Sequence, residues 1–207
     1  MTLFGFLNGK KQTKGTIGYF GLENWWLSSF SEEERKYIEN RFQPLGSSEG
    51  SLTSEDIKYS TQTAVSFLQG LAGWFMKAED RYIAYRILEK AEELSKIEEH
   101  VLDIHFLYSA KSELYYKDRD KPQCLEKAIN ACKHQIALAP KAAEAFRAKN
   151  KNMPLPSHKG YEQLAIILEK QMSYKEAIDL CSQAEMEGWA GNWGKRIDRC
   201  KKKMMND

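Results

Sequence analysis

Residues 160–189, GYEQLAIILEKQMSYKEAIDLCSQAEMEGW, carry two short apolar stripes separated by a break near Gln171–Ser173. Tyr161, Leu164, Ala165 and Leu168 recur at helical spacing, and so do Tyr174, Ala177, Ile178, Cys181 and Ala184. The charged residues Glu162, Glu169 and Lys170 fall off the first stripe. Ser157 is placed to cap the first helix, and Ser173 with Glu176 spells a capping box for the second. The short link makes the helices antiparallel neighbours, with Ala165 and Ala177 small where their ridges interlock. A hairpin of this size cannot bury its own apolar face. It has to stack on something, so further hairpins of the same kind are expected along the chain.

Two relatives of the hairpin are present. Leu68, Leu71, Ala72 and Phe75 precede a break near Lys77–Asp80, and Ala84, Leu88 and Ala91 follow it. The spacing from Ala72 to Ala84 equals that from Ala165 to Ala177. A less regular unit has Leu107, Ala110 and Leu114, a DRDKPQ turn, then Leu125, Ala128, Ile129 and Cys132. Lys111 stands there where the other units have alanine, and Pro122 sits where a first-turn proline is tolerated.

This pattern of a large residue, Leu with a small residue, a large residue, a tight turn, then Ala-x3-large-x2-Ala resembles the tetratricopeptide repeat. Tyr161, Leu164, Ala165, Leu168, Tyr174, Ala177 and Ala184 match as they stand. Cys181 replaces the usual aromatic, Trp189 stands where the family has proline, and the middle unit keeps that proline as Pro140. The distances from Ala84 to Ala128 and from Ala128 to Ala177 exceed the family's period of about 34 residues, so linkers are inserted. PKAAEAFRAKNKNMPLPS can hold a short extra helix and a proline-bracketed loop.

The expected fold is all-α: a right-handed α-solenoid of about three TPR-like hairpins, with units near 54–97, 101–139 and 157–187. An irregular aromatic N-terminal segment, 1–50, precedes the repeat domain 51–207, and a capping helix near 192–205 closes it. Thr53 and Asp56 are expected to cap the first long helix, and the uncharged run from Tyr59 to Met76 reads as a buried core helix rather than a membrane span. In the N-terminal segment only the Ser31–Glu34 capping box announces a helix, running to about Phe42. Trp25 and Trp26 read either as a cap packed on the first repeat or as part of a partner site. In the last helix, which Asn192 can cap, Trp193, Ile197, Cys200 and Met204 line one face. Lys195, Arg196, Arg199 and Lys201–Lys203 make its opposite face basic, which reads either as the solvated side of a terminal cap or as a patch for phosphate or an acidic partner.

A net charge of +2 does not call for nucleic acid. Four scattered cysteines without a CxxC pair suit reduced thiols in a cytoplasmic protein. MTLFGFLNGKKQ has the wrong order for a secretory signal. His100 and His105 are five apart, a poor fit for two metal ligands on one helix face. No stretch groups a nucleophile, a base and an orienting residue, so no catalytic, metal or cofactor residues are assigned and the chain reads as no enzyme.

The resemblance implies a groove, lined by the first helix of each unit, that holds a protein or peptide. By helix face, its candidate binding residues are His105, Tyr108, Ser112 and Tyr115 in the middle unit, with Tyr116 beside them. Glu162, Ile166, Glu169 and Lys170 come from the third, and Gln69, Gly73, Met76 and Lys77 from the first. Large amphipathic tyrosines suit such a surface. Three other readings stay open: a peptide-sensing regulator, a nucleic-acid or acidic-surface binder through the basic last helix, and an enzyme assembled across repeats. Nucleic acid is disfavoured because no aromatics interleave the basic face. Self-association as a homodimer through the exposed end of the stack is a further option, and no membrane contact is expected.

Overall fold

The computed structural model describes residues 13–46, 50–98, 100–151 and 153–206, which form eleven helices and two short strands. The chain divides into two compact units, Met1–Gln62 and Thr63–Asp207. The opening MTLFGFLNGKKQ lies outside the described residues.

The first unit holds α1 (Gly15–Tyr19), α2 (Glu23–Ser29) and α3 (Glu32–Arg41). Its core is Ile17, Leu22, Trp26, Phe30, Ile38 and Leu52. The Ser31–Glu34 capping box forms as read. The aromatic stretch before it is helical after all, in two pieces too short to show periodicity. Phe30 packs edge-on to Trp25 and tilted on Trp26, at 5.5 and 5.3 Å. Gly15 adopts φ +63°, and a Cβ there would lie 2.3 Å from the backbone nitrogen of Thr53, so only glycine lets α1 meet the 52–55 segment.

The second unit opens at Thr63, whose hydroxyl accepts from the Ser66 N–H and donates to Asp103. Thr63, not Thr53 and Asp56, therefore caps α4 (Ala64–Gly73), and the uncharged run gives a helix of only 10 residues. Three hairpins follow in order: α4 with α5 (Arg81–Ser95), α6 (Val101–Lys117) with α7 (Cys124–Ala137), and α9 (Lys159–Lys170) with α10 (Tyr174–Met186). Each first helix packs back on the preceding pair: α6 on α4 and α5, α9 on α6 and α7. Ala72, Ala84, Ala128, Ala165 and Ala177 are buried, as close helix approach requires.

Several local expectations are corrected. His158, not Ser157, caps α9, its Nδ1 accepting from the Tyr161 N–H at 3.3 Å. Ser173 precedes α10 but its side chain makes no cap bond. The turn is closed from the other side: Met172 takes φ +61° and Ser173 N–H reaches Leu168 O at 3.0 Å, a Schellman-type ending for α9. Pro122 lies outside α7, which begins after Gln123 at φ +62°.

The insert between the second and third hairpins forms α8 (Ala139–Lys149), with Pro140 in its first turn, and β1 (Leu155–Ser157). β1 pairs in parallel with β2 (Trp189–Ala190), Leu155 opposite Trp189 and Ser157 opposite Ala190. Trp189, in place of proline, therefore belongs to a strand and joins a core of Leu102, Ala142, Tyr161, Ala165 and Cys181. α11 (Trp193–Met204) packs on α10 and buries Trp193 and Cys200, while Met204 at the end of the stripe stays about half exposed. No described helix is long and apolar enough to cross a membrane.

Candidate binding cleft

Tyr108, Lys111 and Tyr115 recur on one face of α6 and form the floor of a cleft of about 290 Å³. Glu89 and Glu92 of α5 make one wall, and Lys127, Asn130 and His134 of α7 the other. Lys111 is nearly buried, and its ammonium is bonded to the Glu92 carboxylate. It lies 6.0 and 5.9 Å from the ring centres of Tyr108 and Tyr115. Two aromatic faces and one carboxylate thus replace the water it gives up. His134 stacks on Tyr108 at 4.8 Å and 11°, and the Lys127 ammonium stands 5.5 Å over Tyr115.

Burial, reinforced by the charges of Glu89 and Glu92, pushes the Tyr115 phenol up to about 12. Burial and then Glu92 raise Tyr108 in the same direction. Both phenols stay protonated at neutral pH and serve as hydrogen-bond groups on a rigid aromatic floor. The cleft therefore presents two aromatic rings with acidic groups on one side and basic groups on the other. Among the described residues no three His, Cys, Asp or Glu side chains converge as a metal site.

The structure brings only Tyr108 and Tyr115 of the eight candidate residues to this cleft. His105 is 2% exposed, stacked on Trp189 at 5.9 Å and edge-on to Phe146 of α8 and to His158. Ser112 is fully buried, its hydroxyl bonded to the Ser109 carbonyl. These two are interior because α8, β1 and β2 cover the start of α6 and α7 packs along it. Glu169 is held by Arg196, Arg199 and Lys203 of α11 at 2.7–3.1 Å, which drops its carboxyl to about 2, the Arg199 hydrogen bonds contributing most. Lys170 donates to the Tyr116 hydroxyl at 2.9 Å. Ile166 is half-buried, and Glu162 lines a different cavity.

Spacing alone does not single out Lys111, Glu92, Lys127 and His134 as cleft residues. The one local signal is Lys111 itself, a lysine at an alanine position. Its aromatic neighbours at i−3 and i+4 showed what could shelter the charge. Its acidic partner, on another helix, could not be read from spacing. All four cysteines are free thiols, and burial pushes Cys132 up to about 12.

No family model, no curated protein and no solved structure matches the chain.

Proposed function

We propose that the Thr63–Asp207 unit is a tetratricopeptide-like right-handed solenoid of three hairpins, acting as a non-enzymatic module that captures a segment of another protein or a peptide. The order of helix packing supports the array. The observation that carries the function is the cleft over Tyr108, Lys111 and Tyr115: rigid rings, a cation locked beneath them, and acids facing bases across the opening. Aromatic floors of this kind supply contact area at low entropic cost, and flanking charges set the orientation of an extended partner. Four cysteines free of disulfides suit a reducing, cytoplasmic setting.

The test is affinity capture from native lysate with mass spectrometry, comparing wild type with a Tyr108→Ala, His134→Ala double variant. Both side chains are partly or fully exposed, so the variant should melt within a few degrees of wild type. The expected result is a specific protein retained by wild type and lost by the variant. A partner retained equally by both places capture elsewhere and overturns the cleft as its site.

A further inference from the structure

The two parallel strands end on the same edge, and each leads directly into a helix: β1 through His158 into α9, β2 through Gly191 and Asn192 into α11. The ends of parallel strands, where chains turn into helix N-termini, are where crevices for polar ligands form. A cavity of about 360 Å³ lies there, lined by Ser157, His158, Glu162, Asn192, Trp193 and Arg196.

Its two sides carry opposite charge. Arg196 shares the Glu169 carboxylate with Arg199 and Lys203, so three cations stand against one anion and a positive excess remains. Glu162, on α9, is half exposed, with only a long 3.8 Å approach from Lys159. The α11 N-terminus adds to the positive side: the Asn192 side chain makes no cap bond, and a Cβ on Gly194 would meet nothing within 4 Å, so the backbone is open to approach. The loop is rigid. The Trp193 indole donates to the Trp189 carbonyl at 2.7 Å, and its ring would lie 2.3 Å from a Cβ on Gly191. His158 is fully buried in the wall; with Nδ1 accepting from Tyr161, its proton belongs on Nε2, which makes no hydrogen bond.

A simple anion would meet Glu162, and a simple cation would meet Arg196 and the helix terminus. A molecule with both charges meets neither penalty. We propose that this cavity binds a small zwitterion of the α-amino-acid type: its carboxylate on the α11 N-terminus and Arg196, its ammonium on Glu162. The carboxylate and ammonium could come from a free amino acid or from a short peptide. The site is separate from the aromatic cleft and does not depend on protein capture there.

The test is thermal shift followed by calorimetry on the full chain, with each proteinogenic amino acid, a panel of dipeptides, and inorganic phosphate as the simple-anion control. The expected result is saturable binding of at least one amino acid or dipeptide, weakened at least about tenfold by N-acetylation and by amidation. Binding of amino acids alone identifies the free source, and binding of dipeptides alone identifies the peptide. Glu162→Gln should remove the penalty of N-acetylation. Asn192→Asp places a carboxylate of the chain's own where the ligand's would sit; it should leave the melting temperature equal or higher, because an acidic cap suits a helix start, and abolish binding. No binding by any probe overturns the proposal. So does binding that phosphate matches, that tolerates N-acetylation in the wild type, or that survives Asn192→Asp.

Discussion

At the scale of single residues, the least ordinary feature is the buried pair His105 and His158, whose rings are 4.9 Å apart. The Gln135 amide donates to Nε2 of His105 at 3.0 Å, which leaves the proton on Nδ1 without a partner. Burial lowers His105 to about 4. Burial, and then the repulsion that protonated His105 would exert, lower His158 to about 3. Both imidazoles are neutral in the fold and would bind protons near pH 6.5 once unfolded. Their contribution to stability is therefore complete above about pH 6.5. It declines as pH falls toward the folded values, by up to about 1.4 kcal/mol per pH unit for each ring. Denaturant melts of wild type and His105→Phe from about pH 7 to about pH 5 isolate this from the carboxylates. The variant should lose less stability on acidification than wild type, and equal slopes would show that the pair does not govern the acid limb. In the sequence His105 shares a helix face with tyrosines. Its burial depends on Phe146, His158 and Trp189, more than forty positions away, and no local pattern carries that information.

At the scale of elements, the α9–α11 junction concentrates charge. Glu169 is only 10% exposed and takes two hydrogen bonds from Arg199, one from Arg196 and one from Lys203. Glu169→Gln should leave three cations without their shared anion and cost about 2 kcal/mol, a typical value for charge-assisted hydrogen bonds. Hydrogen exchange should quicken first in α11, whose other anchors are Trp193, Ile197 and Cys200. Unchanged protection in α11 would mean those apolar contacts hold the helix alone. The six basic residues of this helix read as one solvated or partner-facing face, yet three of them converge on the Glu169 carboxylate. Helices were legible where apolar residues recur at 3.6-residue spacing over several turns, and α9, α10 and α11 fall close to their expected bounds. The caps were less so. Ser157 lost to His158 because a ring nitrogen one position later reached the Tyr161 N–H. β1 and β2, at three and two residues, are too short for any period to register.

At the scale of the molecule, the mostly helical character follows from sequence, while the reading of the three hairpins as a repeat array stays a proposal. The cleft does not follow from sequence: its walls come from α5 and α7, whose charged residues look like ordinary solvated faces until α6 is laid between them. The division at Gln62–Thr63 implies that the second unit folds alone. Unit two closes its own core, from Val65, Leu68 and Phe75 at one end to Trp193 and Cys200 at the other. Its first helix is capped from within, by Thr63 against Asp103. A fragment of residues 63–207 is long enough to bury a core without disulfides or metal. It should unfold in one cooperative transition, with helical circular dichroism matching its share of the full chain. Removing residues 191–207 from that fragment strips Trp193, Ile197 and Cys200 from the terminal hairpin and uncovers the apolar face of α10. Arrays stacked by nearest-neighbour contacts need a polar outer layer, so the shortened fragment should melt at least about ten degrees lower and bind hydrophobic dye. Equal melting of the two fragments would show that α11 is an appendage rather than the cap of the stack.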